Sequence, residues 1–315
     1  MRTKRTRAWA WLAALPLVGC ASPLLRRGPQ ISYAYDEEQG ALGVLVDGEL
    51  FTRYFGIAKP KPYFYPLLAP GGLPVTRGFP FEERDGEERD HPHHVSLWYA
   101  HGDVDGRDFW HGSDPEAHMT MRTFPIPDAA REVETSQYWI SREQVLATDH
   151  RRISFGATES ARWIDFEITI EPEGERLTLG DTKEGTFALR LAPTLRVQGE
   201  RAAGSLLDSE GREDAAAWGK RARWLAARGP VEGVDVTVAL FDHPRNPRHP
   251  TWWHARTYGL LAANPFGAHD FEGAPEGSGD LVLRAPTTFR YRVLVALGRM
   301  SPEELEAVWA SFARE

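Results

Sequence analysis

Apolar and polar residues alternate over many short runs of this chain. In residues 163–170 (Trp-Ile-Asp-Phe-Glu-Ile-Thr-Ile) every second side chain from Ile164 onward is apolar, which is typical of a strand with one buried face. Asp47-Gly48, between residues 42–46 and 49–53, favours the positive φ angles of a tight hairpin turn. Further strand-like runs are residues 137–148, 152–158, 161–171, 176–182, 187–197, 234–241, 258–263 and 288–297. The pattern therefore predicts a protein built mainly of antiparallel strands.

One segment has the pattern of a helix. Ser301 has the position of an N-cap, Pro302 that of the first helical residue, and Glu304 completes a capping box. The apolar side chains of the predicted helix, residues 302–314, share one face: Leu305, Val308, Trp309 and Phe312. Many strands followed by this helix predict an all-β fold, a large antiparallel β-sandwich with a C-terminal helix packed on it.

Residues 1–20 differ in composition from the rest. Basic residues at positions 2, 4, 5 and 7 precede an apolar stretch over residues 8–18, as in a secretory signal peptide. Residues 17–20, Leu-Val-Gly-Cys, resemble the lipobox of bacterial lipoproteins, in which cleavage precedes the cysteine and a diacylglyceryl group is attached to its sulfur. Cys20 is the only cysteine of the chain, so the sequence predicts a lipid anchor and no disulfide framework. An ordinary signal peptide with a chance cysteine is the alternative.

These features divide the chain into four predicted parts. Residues 1–19 form a signal peptide, residues 20–34 a lipidated N-terminus and tether, residues 35–300 the β-sandwich domain, and residues 301–315 the helix packed on it. We therefore expect an exported protein that its lipid holds at the cell envelope, in the periplasm or at the outer membrane.

Composition argues against two further features. The net charge of −8 and the pI of about 5.8 argue against a nucleic-acid partner, since binding phosphates needs a basic surface. After residue 20 no apolar run approaches the roughly 18 residues that a membrane-spanning helix needs. We therefore expect contact with the membrane through the lipid anchor alone.

Histidines concentrate in residues 89–110. In an extended chain His91 and His93 project from the same side, about 6 to 7 Å apart, so that both rings can bind one metal ion or one substrate oxygen. His94 faces the opposite side and is expected in a second layer or in the core. The alternative is a set of buried histidines bonded to backbone carbonyls in a loop-rich region.

Three other segments carry polar chemistry. In residues 180–190, Lys183 and Glu184 lie at the mouth of a turn, and Arg190 lies in an apolar strand, where a charge must be paired or face a wet cleft. A surface salt bridge and a strand-edge arginine are the alternative there. Residues 59–66, followed by Arg77, combine prolines, aromatic rings and cations; the alternative is a proline-rich loop at the sheet edge.

In the remaining segment, residues 242–256, three prolines stiffen the chain. This lowers the entropy cost of presenting His243, Asn246 and His254. Trp253 and its neighbour Trp252 either offer a flat apolar face to a sugar ring or plug the sandwich.

The sequence resembles a known family in the stretches KPYFYPLLAPGGLPVTRGFP, DHPHHVSLWYAHGDVDGRDFW, DTKEGTFALR, FDHPRNPRHPTWWHARTYGLLAANPFG and FRYRVLV. The family that it resembles is an uncharacterised bacterial one, often labelled "methane oxygenase PmoA". The resemblance implies an exported β-sandwich protein with no settled activity, from bacteria rich in polysaccharide-degrading systems. We consider the label misleading, because a membrane monooxygenase subunit consists of spanning helices. At the level of the fold the chain also resembles the galactose-mutarotase supersandwich, in which a histidine and a carboxylate flank a bound sugar.

The favoured interpretation is a lipoprotein that acts on or binds a carbohydrate or sugar derivative in one pocket at the open face of the sandwich. If it is an enzyme, the simplest mechanism is acid/base chemistry on that sugar. His93 or His254 moves a proton and Glu184 is its partner. The residues expected to bind substrate are Arg77, His91, Lys183, Arg190, His243, Asn246 and Trp253. Hydrolysis, epimerisation and elimination fit these groups equally.

Two alternatives stay open at this point. One is a non-catalytic carbohydrate-binding module that uses the tryptophans as a platform. The other is a hydrolase or lyase that depends on a divalent metal held by His91, His93 and a distant histidine, His243 or His254. No other cofactor is expected, and the ligand is a small molecule or an oligosaccharide.

Overall fold

A computed structural model describes residues 28–121 and 132–315. Cys20 and the predicted signal peptide lie outside these residues. Within the two described ranges, no helix is both long and apolar enough to cross a membrane. The first strands are β1 (Ile31–Asp36), β2 (Ala41–Val46), β3 (Glu49–Phe55), β4 (Tyr63–Ala69), β5 (Leu73–Pro74), β6 (Leu97–His101) and β7 (Ala117–Met121).

The second half of the described chain continues in the same way. The strands are β8 (Glu132–Ser141), β9 (Gln144–Ala157), β10 (Ala161–Pro172), β11 (Leu177–Leu179), β12 (Gly185–Arg190), β13 (Ser205–Asp208), β14 (Lys220–Arg221), β15 (Trp224–Val231), β16 (Val234–Asp242), β17 (Trp252–Arg256), β18 (Leu260–Asn264), β19 (Leu281–Leu283) and β20 (Thr287–Leu297). The α-helices are α1 (Ala268–Glu272) and α2 (Pro302–Phe312).

Two large antiparallel sheets contain most of these strands. The first sheet has the order β1-β2-β3-β4-β6-β12-β18-β17-β14, with β5 paired to β4, and the second has the order β13-β15-β16-β20-β10-β9-β8-β7. Aromatic rings join the sheets: Phe64 contacts Phe166 at 5.5 Å and Phe187 stacks on Tyr291 at 4.7 Å between centroids. The predicted all-β class and large antiparallel sandwich are therefore confirmed.

Local patterns in the sequence give correct elements where one face of the element is buried. Asp47 and Gly48 have φ angles of 51° and 84° and join β2 to β3, as a two-residue hairpin turn requires. In β10 the alternate side chains from Ile164 to Ile170 are buried between the sheets. The alternation over residues 163–170 thus reports the buried face of a strand.

The C-terminal helix forms as predicted. Ser301 accepts a hydrogen bond from the backbone of Glu304, whose carboxylate in turn accepts from the backbone of Ser301. Leu305 and Phe312 are buried in a small apolar cluster on the outer face of the second sheet. Helix α2 therefore covers part of that face, whereas Phe271 of helix α1 lies on the outer face of the first sheet, 6.0 Å from the ring of His254.

Two predicted strands are wrong in their extent. Residues 137–148 do not form one strand, because Arg142 and Glu143 have φ angles of 50° and 64° and turn the chain from β8 into β9. The predicted strand over residues 187–197 ends at Arg190, and a short 3₁₀ turn follows.

Other strands were not predicted from the pattern of apolar and polar residues. In β6 all five side chains are buried, so no alternation of apolar and polar residues marks it. The segment expected to be a loop at the sheet edge contains β4, which pairs with β3 and β6 inside the first sheet. Strand β1 begins at Ile31, among the residues predicted as the tether.

Candidate functional site

Four neighbouring strands place one row of side chains on the outer face of the first sheet, away from the second. Trp98 of β6 pairs with Ala188 of β12, Ala188 with Ala262 of β18, and Ala262 with His254 of β17. Because strands lie about 4.8 Å apart, the backbones of Trp98 and His254 are about 14 Å apart. Two alanines between two large rings leave room for side chains from the surrounding loops.

Five histidines lie around this row, and we call His91, His93, His94, His111 and His254 the histidine cluster. The ring of His93 lies 4.6 Å from that of His111, 4.5 Å from that of His94 and 5.6 Å from that of His91. His94 stacks on Trp98 at 5.5 Å. The dense segment of the sequence thus brings its histidines together, and His94 lies behind the others, against the sheet.

Asp90 anchors the loop that precedes β6. Arg77 and Arg190, which are 2% and 0% exposed, donate to its carboxylate at 2.6 and 2.7 Å. Arg77 also donates to the carbonyls of Glu88, Asp90 and His91. Burial raises the pKa of Asp90, but Arg190, the bond from His91 and Arg77 together lower it to about 2. The two arginines therefore use these donors to hold the loop in position rather than to bind a substrate.

Two histidines of the cluster are each oriented by an aspartate. His91 Nδ1 donates to Asp90 Oδ2 at 2.5 Å, and His111 Nδ1 donates to Asp108 Oδ2 at 2.8 Å. The bond from Asp108 raises the pKa of His111, against the effect of burial. In both rings Nε2 is thereby left as the atom that can exchange a proton with a ligand.

His93 differs from these two because no hydrogen bond orients its ring. Neither of its ring nitrogens has a hydrogen-bond partner among the described residues, and the side chain is only partly buried. Burial, followed by the charges of Lys61 and His111, lowers its pKa to about 3. At neutral pH His93 is therefore an uncharged ring with a free lone pair, next to His111, whose pKa is raised.

His94 is held in one tautomer. Arg190 Nη1 lies 3.1 Å from His94 Nδ1. A guanidinium group can only donate, so Nδ1 accepts and the neutral ring carries its proton on Nε2. Burial lowers the pKa of His94, which keeps the ring neutral between Arg190 and Trp98.

Lys61 brings an amino group to the same place. Its side chain is 1% exposed, and its Nζ lies 5.3 Å from the ring of Trp98 and 5.7 Å from that of Trp110. The amino group donates to the carbonyl of Trp110. Burial lowers its pKa to about 7, although the charge of Asp108 acts in the opposite direction. Lys61 therefore changes its charge in the physiological pH range.

Glu184 connects His254 to the rest of the cluster. It pairs with Lys183 at 3.0 Å, and its charge acts to raise the pKa values of His111, His254 and Tyr258. His254 Nδ1 donates to the carbonyl of Lys183 at 2.9 Å, which leaves Nε2 as an acceptor. Burial lowers the pKa of His254 to about 4, so its ring is neutral at neutral pH.

Tyr258 adds an aromatic ring to the stack formed by Trp98 and His94. The ring of Tyr258 stacks on His91 at 5.3 Å, and the guanidinium carbons of Arg190 and Arg256 lie 4.5 and 5.5 Å from its centroid. Burial raises the pKa of Tyr258. The site thus combines imidazoles with lowered and raised pKa values, a carboxylate and aromatic faces, which is a set of groups suited to proton transfer on a polar ligand.

Residues 41–310 match a family of unknown function, DUF6807. The chain belongs to this family. The match includes every segment on which the resemblance to an uncharacterised bacterial family rests, and it agrees with that expectation. It does not bear on the methane oxygenase label. No curated protein matches the chain.

The solved structures that match the chain are only weakly similar to it and differ widely from it in sequence. A β-arabinopyranosidase is 10% identical, with a TM-score of 0.34, over 86% of this chain and 38% of its own. A polysaccharide lyase is 11% identical, with a TM-score of 0.31, over 90% of this chain and 34% of its own. A galactose mutarotase related enzyme from Lactobacillus acidophilus is 10% identical, with a TM-score of 0.33, over 86% of this chain and 98% of its own. The chain therefore spans little more than a third of the first two proteins.

Two predicted binding residues, His243 and Asn246, lie away from the histidine cluster. His243 packs on Phe312 of helix α2, with 5.0 Å between ring centroids. Asn246 bonds to Asp242 and to the backbone of Arg290. The reason is topological: β16, which leads into this loop, belongs to the second sheet, and the chain reaches the first sheet only at β17.

Trp253 serves as a plug of the sandwich. It is 0% exposed, and its Nε1 donates to the carbonyl of Ala222 at 2.9 Å. With His243 on the other sheet, the metal set of His91, His93 and His243 is not assembled. Within residues 28–121 and 132–315, no group of three or more histidine, cysteine, aspartate or glutamate side chains has the geometry to hold a metal ion.

Sequence reasoning missed Asp108, His111, Lys61 and Tyr258. A signal for the first two exists: Asp108 accepts from the backbone amides of Trp110 and His111 at 2.8 and 3.0 Å, a local turn that an aspartate three residues before a histidine can form. Lys61 and Tyr258 have no such signal, because their roles depend on residues far away in the chain.

Proposed function

We propose that this chain is a carbohydrate-active enzyme whose histidine cluster transfers protons on a sugar or sugar derivative. One observation carries the proposal: neutral, unpartnered His93 lies 4.6 Å, ring to ring, from His111, whose pKa is raised by its bond to Asp108. Neighbouring groups whose surroundings push their pKa values apart are suited to act as an acid and a base at the same pH.

His111 is the proton donor in this mechanism. Asp108 holds its Nδ1, so that Nε2 delivers a proton to a substrate oxygen, and Glu184 stabilises the imidazolium. His93 accepts the proton that the substrate loses. Deprotonation of Lys61 removes one of the charges that oppose protonation of His93. His254 offers its neutral Nε2 as an acceptor for a substrate hydroxyl. General acid–base catalysis of this kind contributes about 10²- to 10⁴-fold in rate.

The arrangement favours epimerisation or elimination over glycoside hydrolysis. Most glycosidases use two carboxyl groups on opposite sides of the scissile bond. Here Asp90 is bonded to Arg77, Arg190 and His91, and Asp108 to His111 and its own turn. Of the three carboxylates at the cluster, Glu184 forms the fewest hydrogen bonds and ion pairs. The tryptophan platform of a binding module has less support, because Trp252 and Trp253 are 5% and 0% exposed.

We test this proposal by hydrogen isotope exchange. The purified protein is incubated in D₂O with mono- and oligosaccharides and oxidised sugars, and deuterium at ring carbons is followed by mass spectrometry. We expect exchange or product formation with the wild type and a loss of about 10²-fold or more in His93→Gln and His111→Gln. His150→Gln, at an exposed histidine of β9 in the second sheet, is the control. Full exchange in both cluster variants would reject the proposal.

We also propose that the protein acts at the cell envelope with its lipid on Cys20, which rests on the lipobox in residues 17–20. The test is mass spectrometry of the N-terminal peptide together with cell fractionation. We expect a diacylglyceryl group on Cys20 and release of the protein from membranes in Cys20→Ala. An unmodified cysteine in a membrane-bound protein would contradict the anchor.

A further inference from the structure

Arg256 is an arginine beside the site that has no carboxylate partner among residues 28–121 and 132–315. It lies on β17 two residues after His254, and alternate residues of a strand share a face. It is half-buried, with its guanidinium carbon 5.5 Å from the ring centroid of Tyr258. In the described part of the chain its guanidinium forms no ion pair and donates no hydrogen bond.

The other basic residues around the cluster already have partners, and Lys61 donates to the carbonyl of Trp110. Arg77 and Arg190 donate to Asp90, and Lys183 pairs with Glu184. A guanidinium group carries five donors in a planar fork that matches a carboxylate. Arg256 therefore offers an unused set of donors at the edge of the site, next to an aromatic ring.

The charged side chains around the site also favour an anionic ligand. Around the row of Trp98, Ala188, Ala262 and His254, the basic side chains are Lys61, Arg77, Lys183, Arg190 and Arg256, and the carboxylates are Asp90, Asp108 and Glu184. The chain as a whole has a formal charge of −8. A local excess of basic side chains in an acidic protein attracts anions to that part of its surface.

We infer that the site binds acidic sugars, and that Arg256 holds the carboxylate of a uronic acid. This inference rests on the proposed function and names its substrate class. A sugar whose carboxylate is bound by Arg256 lies alongside Tyr258, whose ring stacks on His91 in the histidine cluster. Arg256 is thus the residue that distinguishes a uronate from the corresponding neutral hexose.

An acidic sugar also suits the proton transfer. The hydrogen on the carbon next to the carboxylate is the most acidic C–H of the ring. When the base takes this proton, the electron pair of the C–H bond moves into the carboxylate, and Arg256 stabilises the added negative charge. Return of a proton to the opposite face gives the epimer. Alternatively, the electron pair forms a C=C bond while the neighbouring C–O bond breaks, and the acid protonates the leaving oxygen.

Binding of matched sugar pairs tests the inference. Glucuronate is compared with glucose, and galacturonate with galactose, by calorimetry and thermal shift on the purified protein. We expect each uronate to bind the wild type at least about tenfold more tightly than its neutral partner. Arg256→Gln should weaken uronate binding by about ten- to hundredfold and leave hexose binding unchanged. Arg53→Gln, at a half-buried arginine five strands away in the same sheet, is the matched control.

The outcomes separate this inference from the proposed function. If the neutral hexose binds as well as the uronate, or if Arg256→Gln keeps the preference, the assignment to acidic sugars falls and the carbohydrate site stands. If neither class binds, both fall. Arg256→Lys keeps the charge but loses the planar fork, so it should weaken uronate binding several-fold; it decides the question if Arg256→Gln does not fold.

Discussion

The two outer faces of the sandwich carry similar residue types in different surroundings. On the second sheet, Arg152 pairs with Glu132 at 2.6 Å and Arg299 with Asp235 at 3.0 Å, and all four side chains are at least 40% exposed. On the first sheet, Arg190 is 0% exposed. Exposed pairs contribute about 0 to 1 kcal/mol, whereas buried charges must be held by their neighbours. Burial around the row of Trp98, Ala188, Ala262 and His254, rather than residue type, therefore marks the candidate site.

The largest effect is expected at Lys61. Burial lowers its pKa from the ordinary 10.5 to about 7. Between these pH values the unfolded chain binds more protons than the folded protein, so the contribution of Lys61 to the free energy of unfolding rises with pH. Lys61→Met removes this contribution. We expect the variant to gain stability relative to the wild type by about 4 kcal/mol on going from pH 10 to pH 7, measured by urea unfolding.

The control for this measurement is Lys220→Met, at an exposed lysine of β14. If the difference between Lys61→Met and the wild type stayed the same from pH 7 to pH 10, the amino group would not be buried between the two tryptophans.

The next largest effect is expected at Arg190. Arg190→Met leaves Asp90 without its most buried partner and leaves His94 Nδ1 without a donor. Breaking a buried pair costs about 3 kcal/mol. Arg299→Met breaks an exposed pair of the second sheet and should cost less than about 1 kcal/mol. Urea unfolding of both variants measures the loss in the free energy of unfolding on each face. Equal losses would contradict the difference between the two faces.

The fold was predictable where a local pattern reports one buried face. Examples are the hairpin turn at Asp47-Gly48, the alternation in β10 and the capping box of helix α2. The pattern fails in β6, where both faces of the strand are covered and every side chain is buried. It also fails in β4, because Pro66 and the neighbouring aromatic residues suggest a loop although the segment pairs on both sides.

The site was predictable only in part, for a related reason. His91, His93 and His94 lie in one segment, so their proximity follows from the sequence. Whether a distant loop joins them depends on which sheet its strand enters. His254 lies on β17 in the first sheet, whereas His243 follows β16 in the second. Both are histidines of the same proline-rich segment, and nothing local distinguishes them.

The smallest effect is expected at the hydrogen bond between Asp108 and His111. In the proposed mechanism His111 must be protonated, so activity is lost as the pH rises through its pKa. Asp108 raises that pKa. Asp108→Asn keeps an acceptor for the turn but removes the charge, so the alkaline edge of the pH–activity profile should move to lower pH. Glu171→Gln removes the carboxylate near exposed His150 on the second sheet and should leave the edge in place. An unmoved edge in Asp108→Asn would assign the acid to another group.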